Sequence, residues 1–146
     1  VSTQLSKPIH LILIEDDEVD AEAIERACLS LDVHCVPTRF RDGREAMDAL
    51  RGSFGIALLN QPYIILLDLN LPRMDGFAFL DELRSDPIWR RSIVFVITTS
   101  TRDEDKAAAY DRRVAGYLVK EVLGSDYVAL CELLEVYDKS VQFPLG

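Results

Sequence analysis

Four carboxylates, a hydroxyl and an ammonium stand in this sequence where they could work together. Glu15, Asp16 and Asp17 directly follow the apolar run IHLILI (9–14). Asp68, with Asn70 two residues on, ends the run YIILL (63–67). Thr98, Thr99 and Ser100 follow IVFVI (93–97), and Lys120 follows GYLV (116–119). A charge at the end of a buried run is costly unless it is partnered. Carboxylates gathered in one place repel and raise one another's pKa unless a cation intervenes. A hard divalent ion such as Mg²⁺ takes oxygen ligands, keeps waters and binds phosphate oxygens. A carboxylate beside such an ion can attack phosphorus and become an acyl phosphate. The transferred phosphoryl group then asks mainly for positioning and charge neutralisation, which the Lys120 ammonium and the Thr98 hydroxyl can supply. On this chemistry Asp68 is the nucleophile.

Each of these residues also has a plainer use. Asp68 could cap a strand end before the Asp75-Gly76 turn. The acidic run 15–17 suits a helix N-terminus, a use compatible with metal binding. Thr99 and Ser100 read as caps of the following helix. Lys120 could be an ordinary surface lysine, and Tyr117 a core aromatic. His10 and His34 lack partners at ligand spacing and read as structural, and Trp89 reads as packing a loop against the sheet edge.

The elements that must position these groups alternate along the chain. The runs at 9–14, 63–67 and 93–97 are near-continuously apolar, as in parallel strands covered on both faces; 35–40 and 116–119 are weaker strands. Helical patterns fall at 17–31, 43–52, 75–85, 101–113 and 125–140. Such alternation implies right-handed crossovers and an open parallel sheet. In that architecture ligands bind beyond the carboxyl ends of the strands, where the four clusters lie. The segment GSFGIALLNQP (52–62) reads as an irregular surface loop.

Composition narrows the class. A length of 146 residues with 49% hydrophobic content suits one domain. The formal net charge of −9 argues against nucleic-acid binding. No apolar run reaches the ~20 residues of a membrane span, and neither a secretory signal nor a lipidation motif is evident. The expectation is a cytoplasmic protein with Cys28, Cys35 and Cys131 reduced and buried.

The ordered set LIEDD, IILLDLNLPRMDG, VITTS and YLVK resembles the receiver domain of two-component response regulators, over about residues 9 to 139. Its nearest likeness is to stand-alone receivers that partner phytochrome-type histidine kinases. The resemblance implies a flavodoxin-like, doubly wound α/β fold with strand order 2-1-3-4-5. It implies that Asp68 accepts phosphate from a kinase histidine, and that Glu15, Asp16, the adjacent Asp17, Asp68 and the Asn70 carbonyl hold Mg²⁺, for which Mn²⁺ or Ca²⁺ can substitute. Thr98 becomes the switch hydroxyl, Lys120 the phosphate-binding lysine and Tyr117 the switch aromatic. The family usually continues Lys-Pro with a cis bond, whereas Lys120 is followed here by Glu121. A cis bond before a non-proline costs about 2.5–4 kcal/mol, so the bond is strained or trans, and the reach of Lys120 is in question.

Two other classes fit parts of the pattern. A haloacid-dehalogenase-type phosphatase also uses a strand-end Asp, but wants a second Asp where Asn70 stands and a cap domain that the length does not hold. A degenerate receiver would serve as an unphosphorylated docking module. The stretch after the last helix is too short for an output domain, so the signal is expected to leave through a downstream protein. On a helical wheel for 127–139, Tyr127, Leu130, Cys131, Leu133, Leu134, Val136 and Tyr137 spread over roughly 220°, wider than one sheet-facing stripe. Leu133, Val136 and Tyr137, with Val141, Phe143 and Leu145, are therefore expected to form an exposed patch that joins two copies as a homodimer.

Overall fold

The computed structural model describes residues 8–30, 35–72 and 74–144. In chain order it contains β1 (Ile9–Ile14), α1 (Glu18–Leu29), β2 (Cys35–Phe40), α2 (Gly43–Leu50), α3 (Ser53–Leu58), β3 (Tyr63–Leu67) and α4 (Gly76–Ser85). It continues with β4 (Val94–Thr98), α5 (Asp103–Asp111), β5 (Gly116–Val119), α6 (Lys120–Leu123) and α7 (Val128–Ser140). The strands form one parallel sheet in the order β2-β1-β3-β4-β5. This is the flavodoxin-like order that the resemblance implies.

Alternation along the strands sends side chains to two separate cores. Ile12, Ile14, Ile65, Leu67, Val94 and Val96 face one side, where Met47 of α2, Leu58 of α3, Phe79 and Leu83 of α4 and Ala109 of α5 cover them. Leu11, Leu13, Ile64, Leu66, Phe95 and Ile97 face the other, against Ala21, Ile24 and Cys28 of α1 and Leu130 and Leu134 of α7. Both faces are dry, which is why the central strands read as unbroken apolar runs. No helix among the described residues is long and apolar enough to cross a membrane.

Register fixes the ends of the strands. Ile14 pairs with Leu67, and the Asp68 amide donates to the Ile14 carbonyl at 3.0 Å, so Glu15 and Asp68 leave the sheet side by side. Thr98 pairs with Val119, so Lys120 follows one residue beyond. The turn after Asp68 closes through the Gly76 amide on the Leu69 carbonyl at 3.0 Å. A Cβ on Gly76 would stand 2.7 Å from Leu69 Cα and 2.9 Å from the Asp68 carbonyl oxygen, which is why glycine follows the Asp75 cap of α4. At the opposite end of the sheet the Arg84 guanidinium donates to the backbone carbonyls of Arg90, Ser92, Arg112 and Arg113.

Several expectations need correction. The 52–62 segment contains the short helix α3, with Leu58 buried and Phe54 stacked edge-on against Phe40 at 5.5 Å between centroids. Gly55 lets α3 lie on the end of α2, since a Cβ there would overlap the Leu50 carbonyl oxygen at 1.7 Å. Cys28 and Cys35 form a disulfide, because the end of α1 and the start of β2 bring their Cα atoms to 6.0 Å; only Cys131 is a free thiol. The last helix begins at Val128, not 125, and a helical turn, α6, precedes it. Tyr137 does not face water: it stacks edge-on against Phe95 and Phe143, and Leu133 is also partly buried in the same core. Val136 does stay exposed, at 62%. Leu145 and His34 lie outside the described residues. Trp89, in the loop before β4, is buried edge-on against Tyr63 at the start of β3.

The close approach at Gly76 yields a test. Gly76→Ala should lower stability by about 1–3 kcal/mol, the usual cost of forcing atoms into a filled space. Chemical denaturation of the two proteins measures it.

Candidate functional site

The strand-end carboxylates meet around one ammonium. Lys120 Nζ lies 2.8 Å from Glu15 Oε1, 2.9 Å from Asp20 Oδ2 and 3.0 Å from Asp68 Oδ2. Glu15 is fully buried, and Asp68 is 6% exposed. The other Asp68 oxygen, Oδ1, accepts from the Asn70 amide at 3.0 Å. Glu15 Oε2 accepts from the Asp17 amide at 3.2 Å, while Oε1 touches Lys120 as an ion pair outside hydrogen-bond geometry and is otherwise unbonded. Burial pushes the Glu15 carboxyl up to about 7, and the neighbouring Asp68 charge adds to the rise, with Lys120 opposing both. Burial alone would lower the pKa of Lys120, but its pairing with Glu15 and Asp20 and the Asp68 charge raise it overall, so it remains a cation.

The remaining expected residues take distinct places. Asp16 and Asn70 are exposed and line an open cleft of about 540 Å³ beside the strand ends, together with Asp75, Phe77, Arg102 and Asp105. Asp17 caps α1, its carboxylate accepting from the Asp20 amide at 2.9 Å. Of the five expected metal donors, then, Glu15 and Asp68 are joined through Lys120, Asp16 and Asn70 flank the cleft, and Asp17 is held in a cap. Among the described residues, no group of three or more acidic, His or Cys side chains stands gathered as a metal cluster. The donor types nonetheless fit a hard cation: all are oxygens, and the buried Glu15 Oε1 lacks a hydrogen bond.

Thr98 is fully buried at the end of β4, and its Oγ1 accepts from the Ser100 amide at 3.4 Å, a long bond. Ser100 Oγ donates to Asp105 at 2.6 Å and accepts from the Arg102 amide at 3.2 Å, so Ser100 does organise the first turn of α5. Tyr117 points inward, its hydroxyl donating to the Ser100 carbonyl at 3.1 Å, and burial raises its pKa. The segment after Thr98 is thus bonded at one side to the strand-end hydroxyl and at the other to the aromatic of β5.

Three residues of the site escape the sequence reading. Asp20 shares Lys120; Tyr127 donates to Asp20 Oδ1 at 3.2 Å; Arg39 Nε donates to the Glu15 carbonyl at 2.9 Å and pairs with Glu18. Asp20 looks like one more acidic residue of a helix N-terminus. Only its place one helical turn beyond Asp16, on the side facing the sheet, hints at a role.

A family model described as response regulator receiver domain matches residues 11–132. The probable methanogenesis regulatory protein FilR2 of Methanothrix harundinacea is 35% identical over 130 residues, which are 89% of this chain and 83% of that protein. Rcp1 of Synechocystis sp. is 32% identical over 120 residues, and the crystal structure of its Mn²⁺-bound form aligns with a TM-score of 0.77 over 95% of this chain and 99% of that one. The crystal structure of the phosphorylated cyanobacterial phytochrome response regulator RcpA aligns with a TM-score of 0.80 at 35% identity, over 94% of this chain and 98% of that one.

The raised Glu15 pKa makes stability depend on pH. Between the ordinary value of 4.5 and about 7 the folded protein holds a proton that the unfolded chain has lost, so in metal-free buffer stability falls as pH rises through that window. A shift of that size is worth about 3 kcal/mol. Glu15→Gln should remove much of this slope, which denaturation at pH 5 and pH 8 measures.

Proposed function

Because the chain belongs to the response regulator receiver family, we propose that it accepts a phosphoryl group from the histidine of a sensor kinase onto Asp68. The observation that carries this is the Asp68 carboxylate, buried at the end of β3 and shared with the Lys120 ammonium at 3.0 Å. One Asp68 oxygen attacks phosphorus. The phosphorus–nitrogen bond to the kinase histidine breaks, its electron pair returns to the ring nitrogen, and an acyl phosphate remains on Asp68. Lys120 lies where it can neutralise the arriving charge as a point cation. The protein is in this reading a phosphoacceptor rather than an enzyme with turnover.

Glu15, Asp16, Asp68 and the Asn70 carbonyl would hold Mg²⁺, with Mn²⁺ or Ca²⁺ as substitutes; Asp17 supports them from its cap. When bound, such an ion offsets the negative charge of phosphoryl oxygens. The Mn²⁺-bound form of Rcp1 supports the same donor chemistry.

The signal then travels along bonds already in place. A phosphoryl oxygen is a strong acceptor for the Thr98 hydroxyl, and drawing Oγ1 toward it loosens the long bond that Oγ1 accepts from the Ser100 amide. Ser100 carries both the first turn of α5 and the Tyr117 hydroxyl. The face formed by α5, β5 and α7 is thereby the surface read by a downstream protein. The likeness to RcpA supports a phytochrome-type kinase as the donor, in the cytoplasm. A homodimer through α7 and the segment after it belongs to the same reading, supported by the exposed Val128, Val136 and Val141.

Asp68→Asn should abolish labelling by a small phosphodonor while the protein stays folded. The wild type should hold one phosphoryl group per chain. Continuous release of phosphate would indicate a phosphatase, and an unlabelled wild type a docking module. Millimolar Mg²⁺ should raise the melting temperature of the wild type by binding only the folded state, and should do so much less in Asp16→Ala.

A further inference from the structure

Lys120 reaches the strand-end carboxylates although the residue after it is not proline. It opens the helical turn α6, and the Gly124 amide closes that turn on the Lys120 carbonyl at 3.2 Å. Proline at 121 would drive Lys120 out of the helical region, so this turn depends on Glu121 or another non-proline. No cis peptide bond occurs among the described residues. What holds the lysine must therefore come from elsewhere.

Two residues supply it. Asp20 on α1 accepts from Lys120 Nζ through Oδ2 at 2.9 Å and from the Tyr127 hydroxyl through Oδ1 at 3.2 Å. Tyr127 is 2% exposed and takes a left-handed backbone, φ 55° and ψ 30°, which a bulky aromatic seldom adopts. Its ring sits in the core with Leu130 and Leu134, so the fold holds it there. The chain from Lys120 to Tyr127 is thus a closed loop: the backbone joins them on one side and the Asp20 carboxylate on the other. Asp20 and Asp68 share the one ammonium, and Tyr127 bonds the far oxygen of Asp20.

We infer that Asp20 and Tyr127 are positioning residues that latch Lys120 against Asp68, in place of the turn that a proline after the lysine would set. The latch deepens the phosphoacceptor reading, and its own test does not require phosphorylation. Lys120 is nearly enclosed, with 10% of its side chain exposed, whereas Lys106 is open at 43%. Reductive methylation of the intact protein with formaldehyde and a borohydride, read lysine by lysine by peptide mass, reports directly on how firmly Lys120 is held. Asp20→Asn should speed methylation of Lys120 roughly tenfold, the scale of one charge-assisted hydrogen bond, while Lys106 and Lys139 keep their wild-type rates. Tyr127→Phe, which removes only the hydroxyl, should give a smaller rise in the same direction. Labelling by the small phosphodonor should slow in Asp20→Asn, and Asp20→Asn should cause no further slowing in a Lys120→Ala background. Unchanged Lys120 methylation in Asp20→Asn and Tyr127→Phe would overturn the latch, as would an equal loss of labelling with and without Lys120. Failure of the wild type to take label would sink the phosphoacceptor reading and leave the methylation result standing.

Discussion

A single ammonium among three carboxylates is the constraint on which this molecule turns. Glu15, Asp20 and Asp68 arrive from the end of β1, from α1 and from the end of β3, and Lys120 arrives from the end of β5. Without that cation, three negative groups would face one another in a space largely closed to water, at a cost that burial makes severe. The parallel register, the glycine behind Asp68 and the turn that opens at Lys120 all serve to bring these four side chains together. Opposite charge at close range gives the site its cohesion.

In the proposed reading the same arrangement divides the molecule into a receiving side and a responding side. Around β1 and β3 the groups are fixed by strand pairing, by the Asp17 cap and by the Arg39 contact to Glu15. Around β4 and β5 the Thr98 bond at 3.4 Å, the Tyr117 bond at 3.1 Å and the Ser100–Asp105 bond at 2.6 Å hold the segment between β4 and α5. Displacement is cheapest where the bonds are longest. In the phosphoacceptor reading, a new acceptor on Asp68 would act first on the long bond at Thr98.

Much of this was legible in the sequence, for identifiable reasons. Strands buried on both faces leave unbroken apolar runs, and a carboxylate or lysine at the end of each run marks the rim that a parallel sheet presents. Asp68, Lys120, Thr98 and Glu15 were read from those run ends, where the structure places them. Asp20 was not, because an acid in a first helical turn has an ordinary local explanation, and its contact with Lys120 spans 100 residues. The disulfide was missed because seven residues of separation give no sign that α1 and β2 return to the same point. The helix α3 was missed because its six residues carry no side-chain cap and too few turns to show a period. The surplus apolar face of the last helix was overestimated, since a wheel cannot show that Phe143 comes back to cover Tyr137.

Arg84 bears on how motion at the rim can spread. Its guanidinium holds the carbonyls of residues 90 and 92, just ahead of β4, and those of 112 and 113, just after α5. The leading end of β4 and the trailing end of α5 are thus pinned to the same side chain, while the segment between Thr98 and Asp103 is held through Thr98, Ser100 and Tyr117. In the proposed reading, a push delivered beside Asp68 would act on the end of α5 farther from Arg84. With that end pinned, a displacement at the rim would tilt α5 about Arg84, widest near Asp103 and fading toward Arg112, and so would change the angle presented to whatever rests on that helix.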